Sequence, residues 1–202
     1  MSKVVKLVLS GSGALYPVHV GAIMCLAEHG YSFSEVCGTS GGALVAAAIA
    51  SGYKPNKELI QLIKKTLPGK SNLVKFSLIT LFKKWGLADS SRIEEVFSKH
   101  MPKTMGELKI PLHIIAVNID RRVDVVFSSA ATPEMNLPKA IMTSMSIPGI
   151  FVPIKIGGER HVDGGISANY FLNIFGAGED VIGLRFHSSS GKFRLVKNIK
   201  DY

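Results

Sequence analysis

The sequence has little cysteine and no apolar stretch long enough to cross a bilayer. Its 202 residues include two cysteines, Cys25 and Cys37, and no Cys-x-x-Cys motif. This composition excludes a disulfide-built scaffold and a cysteine-rich metal site, and it favours buried reduced thiols. The longest uninterrupted apolar run, residues 43–50, has eight residues, whereas a membrane-spanning helix needs about 20.

The amino-terminal segment lacks the features of a secretory signal. Its apolar stretch is short, and Lys6 interrupts it. Together with the reduced cysteines, this absence predicts a protein of the cytoplasm, a reducing compartment.

Acidic residues are scarce in one part of the chain. The net charge is +9, but residues 52–85 contain eight lysines and a single acid, Glu58. Residues 191–202 carry a further +3, and the remaining residues are almost neutral, at −1. The basic character is therefore local. No nucleic-acid-binding motif accompanies it, so we expect no nucleic-acid partner.

The overall composition is that of a folded globular chain. Apolar residues make up 47% of the sequence and charged residues 19%. A chain of this size buries about 70% of its unfolded surface, which provides a substantial core. We predict a single domain over residues 1–202, with a basic helical insert at about residues 53–100.

Short apolar strands alternate with helical segments from the start of the chain. The pattern predicts strands at 4–9, 35–38, 112–119, 123–127 and 181–186, a hairpin at 154–162, and helices at 19–29, 41–50 and 138–145. A strand, a glycine loop, a helix and a second strand in this order are typical of an α/β fold with a parallel sheet.

A Gly-x-Ser-x-Gly motif lies between a predicted strand and a predicted helix. It comprises Gly38, Ser40 and Gly42, with an alanine-rich helix directly after it. A serine on such a sharp turn presents its hydroxyl outward, and the flanking glycines leave room for the turn and for a substrate. Ser40 is therefore the candidate nucleophile.

A glycine-containing loop follows the first strand. The backbone N–H groups of Gly11, Ser12 and Gly13 precede a helix and form a candidate oxyanion hole. The alternative is a dinucleotide-binding loop, but Tyr16 stands where the Gly-x-Gly-x-x-Gly pattern requires its third glycine.

A nucleophilic serine also needs a base. The six histidines are His19, His29, His100, His113, His161 and His187. The first two fall on a predicted packed helix and His113 falls in a strand, which favours structural roles. Asp163 precedes two glycines after a strand, where the backbone can approach its carboxylate closely. A simple Asp-Gly turn is the other interpretation of that segment.

These motifs, taken in order, resemble those of the patatin-like phospholipase family. The set comprises the glycine loop, Ser40 in its motif, residues 146–151 (Ser-Ile-Pro-Gly-Ile-Phe) and Asp163-Gly164-Gly165, and the resemblance extends from residue 3 to about 169. It implies a three-layer α/β/α fold with a central, mainly parallel sheet.

The resemblance also implies an activity. Ser40 would be the nucleophile, Asp163 would take its proton, and the N–H groups of Gly11, Ser12 and Gly13 would hold the oxyanion. The expected reaction is acyl-ester cleavage on a lipid through an acyl-enzyme, without a metal or organic cofactor. The sequence departs from the family pattern at Ser12, where glycine is common. It departs again at residues 15–16 (Leu-Tyr), which replace a basic residue and a glycine.

The lysine-rich segment 54–84 is a candidate membrane-binding region. Within it, residues 73–85 place Val74, Leu78 and Trp85 on one helical face, with two lysines at the end of the segment. Such a helix either lies on an anionic lipid surface or packs on the sheet with its lysines in solvent. The first interpretation predicts peripheral association with a membrane.

Two other functions remain open at this point. One is a catalytically degenerate family member that binds a lipid or a protein partner. The other is a Ser–Asp–His esterase of the α/β-hydrolase type, with His187 as the base, because the chain order serine, aspartate, histidine fits that class.

Overall fold

The computed structural model describes residues 3–66, 86–88, 91–186 and 193–196 of the chain. The strands are β1 (Lys3–Leu9), β2 (Tyr31–Thr39), β3 (Gly86–Ala88), β4 (Leu112–Asn118), β5 (Val123–Ser128), β6 (Gly149–Phe151), β7 (Ile154–Ile156), β8 (Glu159–Asp163), β9 (Val181–Phe186) and β10 (Phe193–Val196). The helices are α1 (Tyr16–Glu28), α2 (Gly41–Ala50), α3 (Lys57–Thr66), α4 (Ser91–His100) and α5 (Leu137–Ser144). Short 3₁₀ turns lie at Gly13–Leu15, Met105–Glu107, Gly164–Ile166 and Leu172–Ile174.

The strands form one large sheet with a parallel centre. Their order is β10-β9-β1-β2-β4-β8-β7, and β5 pairs with β4 off this path. Strands β9, β1, β2 and β4 run parallel to one another, and the antiparallel pairs involve β10, β5, β8 and β7. A separate pair, β3 with β6, is parallel. The predicted α/β fold with a central, mainly parallel sheet is confirmed.

Most predicted elements are present, with shifted ends. The predicted hairpin at 154–162 forms as β7 with β8, and the predicted strands 112–119 and 123–127 pair as β4 and β5. Helix α1 begins at Tyr16, before the predicted start at residue 19, because Pro17 is well tolerated in a first helical turn. Strand β10 (Phe-Arg-Leu-Val) lies within the basic stretch 191–202, where the sequence pattern predicts no strand.

The predicted basic insert is described in part. Helix α3, strand β3 and helix α4 lie within residues 53–100. Three of the four large apolar residues of α3 (Leu59, Leu62, Ile63) are buried and the fourth, Ile60, is partly buried, so this helix packs on the core through its apolar face. The predicted amphipathic segment 73–85 lies outside the described residues, and its role remains a prediction.

The two faces of the sheet have different covers. On one face, alternate strand residues such as Leu7, Val36 and Ile114 pack with the helices into the main core. On the other face, a smaller cluster is closed by the 3₁₀ turn Leu172–Ile174 and its neighbours; its fully or nearly fully buried members are Val8, Cys37, Ile115, Leu172, Phe175 and Val181. Every residue of α2 is buried, because its small side chains let the helix lie close to the sheet.

Two strand ends meet beside β4, and this meeting positions the candidate site. Strand β2 pairs with β4 up to the pair Thr39–Ile115, and β8 pairs with β4 from the next rung, Asp163–Ala116. Strand β5 occupies the other side of β4 over both stretches. Because β2 and β8 run in opposite directions, their carboxyl ends face each other.

Candidate active site

Ser40 lies on a strained turn between β2 and α2. Its φ of 53° and ψ of −126° place a non-glycine residue in a conformation that is costly for a side chain. The helix begins at once, with the Ala43 N–H donating to the Ser40 carbonyl at 2.9 Å. The turn therefore directs the serine side chain out of both the strand and the helix, as the sequence motif predicts.

The motif glycines make this turn possible through close packing. A Cβ at Gly38 would lie 2.5 Å from the Gly42 carbonyl oxygen, and one at Gly42 would lie 2.5 Å from the Ser10 carbonyl oxygen. Both obstacles are backbone atoms, which cannot turn away as a side chain can. Glycine is therefore required at both positions because other backbone segments approach them closely.

Asp163 meets Ser40 at the junction of the two strand ends. The Ser40 hydroxyl Oγ donates a hydrogen bond to Asp163 Oδ2 at 2.6 Å, although the two residues are 123 positions apart in sequence. Ser40 is 6% exposed and Asp163 is 3% exposed. The structure thus brings together the two residues that the sequence analysis selected from separate motifs.

Backbone hydrogen bonds hold the aspartate in place. Its Oδ1 accepts a hydrogen bond from the Gly165 N–H at 2.6 Å, and its own N–H donates to the Ser146 carbonyl at 3.0 Å. Burial raises the pKa of Asp163, while the hydrogen bonds from Ser40 and Gly165 work in the opposite direction. A carboxylate that is costly to ionise is a stronger proton acceptor than an aspartate in water.

The glycine loop lies next to this pair, and its hydrogen bonds reduce the three predicted oxyanion donors to two. The Gly11 N–H donates to the Asn169 carbonyl at 2.9 Å, so it is not available to an oxyanion. The N–H groups of Ser12 and Gly13 have no hydrogen-bond acceptor within the described residues. Of the three predicted donors, these two are free to act, and the sequence could not reveal that Asn169 uses the first.

The serine at position 12 fits because the residue packed against its side chain, Gly41, is a glycine. A Cβ at Gly41 would lie 2.7 Å from Ser12 Oγ, so the hydroxyl fills the space that a side chain at position 41 would need. The Ser12 oxygen is buried and has no hydrogen-bond partner among the described residues. This departure from the family's usual glycine is therefore accommodated by local packing.

A cleft of about 280 Å³ opens over these groups. It is lined by Gly11, Ser12, Gly13, Ser40, Ile147, Asp163, Gly165, Ile166 and Asn169. Two of these lining residues, Ile147 and Ile166, have large apolar side chains, and Ile166 is 53% exposed. The cleft therefore combines the polar serine–aspartate pair with apolar lining residues.

Two of the histidines that the structure describes are bonded elsewhere. His19 is fully buried, its Nε2 donates to the Ser10 carbonyl at 2.9 Å, and burial lowers its pKa to about 4. His113 lies 2.7 Å from a carboxylate oxygen of Glu35. Neither Ser40 nor Asp163 has a histidine partner in the part of the chain that the structure describes, and His187 lies outside it.

Two residues that the sequence analysis did not assign to the site border the pair. Ser144, at the end of α5, accepts a hydrogen bond from the Ser40 N–H at 2.8 Å. Asn169 lines the cleft and holds Gly11 through its carbonyl. Neither residue stands in a motif that predicts its position, because both contacts join segments far apart in sequence.

The described residues offer no place for a metal ion. Within 3–66, 86–88, 91–186 and 193–196, no three His, Cys, Asp or Glu side chains come close enough together to hold one. Among the helices of these same ranges, none has the length and apolar character that crossing a bilayer requires.

Fold and site together define a class of protein. The chain is an α/β protein with a buried serine–aspartate pair on a strand-to-helix turn, beside a loop with free backbone N–H groups. It belongs to the patatin-like phospholipase family, whose model matches residues 7–175. The family resemblance that the sequence motifs indicated is confirmed.

Two viral proteins are similar to the chain over most of its length. The chain is 28% identical over 222 residues to the uncharacterized protein R571 of Acanthamoeba polyphaga mimivirus, covering 100% of this chain and 74% of R571. It is 29% identical over 204 residues to the probable lipid hydrolase 463L of Invertebrate iridescent virus 6, covering 92% of this chain and 65% of 463L.

A solved structure shares the fold. VipD from Legionella pneumophila superposes with a TM-score of 0.64 at 20% sequence identity, over 90% of this chain and 49% of the VipD chain. The chain thus spans about two thirds to three quarters of the two viral relatives and about half of VipD.

Proposed function

We propose that the chain is a lipid acyl hydrolase that cleaves acyl esters with Ser40 as nucleophile and Asp163 as base. The observation that carries this proposal is the 2.6 Å hydrogen bond from Ser40 Oγ to Asp163 Oδ2 on a buried, strained turn. Membership of the patatin-like phospholipase family and the likeness to a probable lipid hydrolase support the substrate class.

The first half of the reaction forms an acyl-enzyme. Asp163 Oδ2 takes the hydroxyl proton as Ser40 Oγ attacks the ester carbonyl carbon. The carbonyl oxygen becomes an oxyanion, for which the free N–H groups of Ser12 and Gly13 are the candidate donors. The tetrahedral intermediate then collapses, the carbon–oxygen bond to the alcohol breaks, and the leaving alkoxide takes the proton from Asp163.

The second half releases the fatty acid. Water attacks the acyl carbon while Asp163 takes a proton from it, and collapse of the second oxyanion breaks the bond to Ser40 Oγ. The proton returns from Asp163 to the serine oxygen. The pair is then restored, and no metal or organic cofactor takes part in any step.

The mouth of the cleft suits an apolar acyl chain. Ile147 and Ile166 line the cleft itself, and Leu15 is 56% exposed on the turn beside the glycine loop. Exposed apolar groups gathered at a site lose unfavourable contact with water when a hydrocarbon chain covers them. The same residues give no polar handle for a hydrophilic acyl group.

We also propose that basic residues near this edge attract an anionic lipid surface. Lys64 and Lys65 are exposed at the end of α3, and the adjacent Thr66 lies 3.4 Å from the Tyr16 hydroxyl, just after the glycine loop. Each lysine near an anionic surface contributes about 1 kcal/mol of attraction at most. We expect Lys64→Gln/Lys65→Gln to weaken sedimentation with phosphatidylglycerol vesicles but not with phosphatidylcholine vesicles.

The central experiment compares wild type with Ser40→Ala on short- and long-chain p-nitrophenyl esters and on phospholipid vesicles. We expect Ser40→Ala to lower kcat/KM by about 10³-fold or more. Ser51→Ala is the matched control, because Ser51 lies at the other end of α2 and its hydroxyl donates to the Ala47 carbonyl. It should retain wild-type activity within about 2-fold.

Two further arms separate the other candidate functions. A fluorophosphonate should label Ser40 in wild type, as seen by peptide mass spectrometry, and should not label Ser40→Ala. His187→Ala should keep its activity, whereas a Ser–Asp–His enzyme would lose it. A wild type that binds vesicles without ester turnover or labelling would replace the proposal with a lipid-binding, catalytically degenerate protein.

A further inference from the structure

The end-to-end meeting of β2 and β8 leaves backbone groups that the sheet cannot satisfy. Strand β2 stops at Thr39, beside Ile115, and the positive φ of Ser40 turns its N–H away from the strand ladder. Strand β8 ends one rung further along, beside Ala116. The Ser40 N–H and the Ile115 carbonyl therefore need partners from outside the sheet, since buried backbone groups without partners are costly.

One hydroxyl serves both groups. Ser144 Oγ accepts a hydrogen bond from the Ser40 N–H at 2.8 Å and donates one to the Ile115 carbonyl at 2.6 Å. Ser144 is the last residue of α5 and is 0% exposed. Its hydroxyl takes the place of a missing rung between the nucleophile's backbone and strand β4.

The same segment also holds the aspartate. Two residues further on, the Ser146 carbonyl accepts a hydrogen bond from the Asp163 N–H at 3.0 Å. The Ser146 hydroxyl, in contrast, donates to the Met142 carbonyl within its own turn at 2.7 Å. Both serines are fully buried, but only the Ser144 hydroxyl forms a hydrogen bond with the nucleophile's backbone. The Ser146 hydroxyl bonds only within its own helix end.

We propose that Ser144 is the positioning residue of the nucleophile, its hydroxyl holding the strained Ser40 turn so that Ser40 Oγ stays at Asp163. This inference rests on the proposed function for its kinetic consequence. Without the hydroxyl, the Ser40 N–H loses its acceptor. The turn then lowers its free energy by relaxing toward an ordinary φ and pairing this N–H with another acceptor. That movement takes Ser40 Oγ away from Asp163 Oδ2.

The first test compares Ser144→Ala with Thr143→Val, which removes an equally buried hydroxyl from the preceding residue. The Thr143 hydroxyl donates to the Lys139 carbonyl of the same helix at 2.7 Å and takes no part in the site. We expect Ser144→Ala to lower kcat by about 10- to 100-fold, the usual cost of displacing a reacting group by about 1 Å, with KM nearly unchanged. We expect Thr143→Val to lower kcat by less than about 3-fold. Equal kcat losses in the two variants would overturn the proposal.

A second pair separates the hydroxyl from the shape of the side chain. Ser144→Thr keeps the hydroxyl, and Ser144→Val has the same branched shape without it. We expect Ser144→Thr to recover a larger kcat than Ser144→Val by about 10-fold. Equal kcat values in the two variants would show that only packing matters at this position. Thermal melts of all four variants establish that each is folded.

Hydrogen exchange of the Ser40 amide makes the test independent of turnover. This N–H should exchange slowly in wild type and in Thr143→Val, and at least about 10-fold faster in Ser144→Ala. If wild type neither hydrolyses esters nor reacts with a fluorophosphonate, the proposed function fails while the exchange result still decides the role of Ser144. If Ser40 exchanges equally slowly in both variants, the positioning role fails whatever the activity.

Discussion

The two ends of the sheet each carry a cavity, and the larger cavity lacks the serine–aspartate pair. At the carboxyl ends of β1 and β2, the cleft over Ser40 measures about 280 Å³. At the amino ends of β1, β2 and β9, a groove of about 570 Å³ is lined by Lys3, Val4, Val5, Cys25, Leu26, His29, Tyr31, Asp180, Val181 and Ile182. Cavity size alone would therefore favour the end that lacks the serine–aspartate pair.

The difference lies in how each end treats its polar groups. At the carboxyl end, Ser40 and Asp163 are almost completely buried and bonded to each other, and the serine backbone is strained. At the amino end, Cys25 is exposed, contrary to the predicted burial of both thiols, and its neighbour His29 donates through Nδ1 to the Cys25 carbonyl at 2.8 Å. Burial and mutual hydrogen bonding alter the reactivity of polar groups, and only the carboxyl end has a pair of this kind among the described lining residues of the two cavities.

The geometry of parallel strands explains why the polar pair forms at one end only. Strands β1 and β2 both end at the carboxyl edge, where the chain turns directly into helices and leaves free N–H groups. Strand β8 brings its own carboxyl end to the same edge from the opposite direction. Strands β5 and β10 also run toward the amino edge, but they lie alongside β4 and β9 and pair with neither β1 nor β2.

The largest expected effect comes from neutralising the aspartate. We expect Asp163→Asn to lower kcat/KM by about 10³-fold or more, equivalent to about 4 kcal/mol, because the amide cannot accept the serine proton. The amide oxygen can still accept from the Gly165 N–H, so folding should be preserved. Asp124→Asn, an exposed change on β5, is the matched control and should keep wild-type turnover. Activity retained by Asp163→Asn would remove the aspartate from the proposed mechanism.

The next largest effect tests the close packing at the carboxyl end. We expect Gly42→Ala to destabilise the fold by about 3 kcal/mol, since the new Cβ would lie 2.5 Å from the Ser10 carbonyl oxygen. Gly21→Ala, in the middle of α1 with open space around it, should instead stabilise the protein by about 0.5–1 kcal/mol. Urea unfolding of both variants measures the contrast, and a tolerated alanine at position 42 would contradict the packing that we describe.

A smaller effect concerns pH and the burial of Asp163. Its pKa in the folded state is raised above the ordinary value of 3.8, mainly by desolvation, so the folded state holds this proton to higher pH than the unfolded state does. The stability that this proton contributes is present below pH 3.8 and is lost as the pH rises through the raised pKa. We therefore expect Asp163→Asn to gain stability relative to wild type between acid and neutral pH.

Urea unfolding at a series of pH values measures that difference. The same raised pKa predicts that the acid limb of the kcat/KM profile lies above the range of a solvent-exposed aspartate. A constant stability difference across the pH series, with an acid limb near 3.8, would mean that the carboxyl is not buried as described.

The smallest effect is expected at the amino end. A maleimide should label exposed Cys25 and leave Cys37 unmodified, because Cys37 is fully buried and burial strongly raises its pKa. The label would fill part of the larger groove, yet ester turnover should change by less than about 2-fold. Cys25→Ser treated in the same way is the control. A large loss of turnover on labelling would give the amino end a part in the reaction.

Much of the fold follows from local sequence. The continuous apolar run of β4, the apolar alanine-rich sequence of α2 and the glycines around Ser40 each act over a few residues through sterics and side-chain size. The boundaries are less well determined, as the earlier start of α1 shows, because a helix end depends on capping contacts as well as on pattern. Strand β10 was not predicted, because its position in the sheet depends on pairing with the partner strand β9.

The sequence by itself determined which residues are chemically suited to the site: a serine on a glycine-flanked turn, an aspartate before two glycines and a glycine loop. Only the tertiary structure decided that Ser40 and Asp163 meet, that Asn169 uses the Gly11 N–H, and that Ser144 bridges the nucleophile to β4. The physical reason is the range of the interactions. A turn is selected by neighbours a few residues away, whereas a hydrogen bond across 123 residues exists only after the sheet has brought two strand ends together.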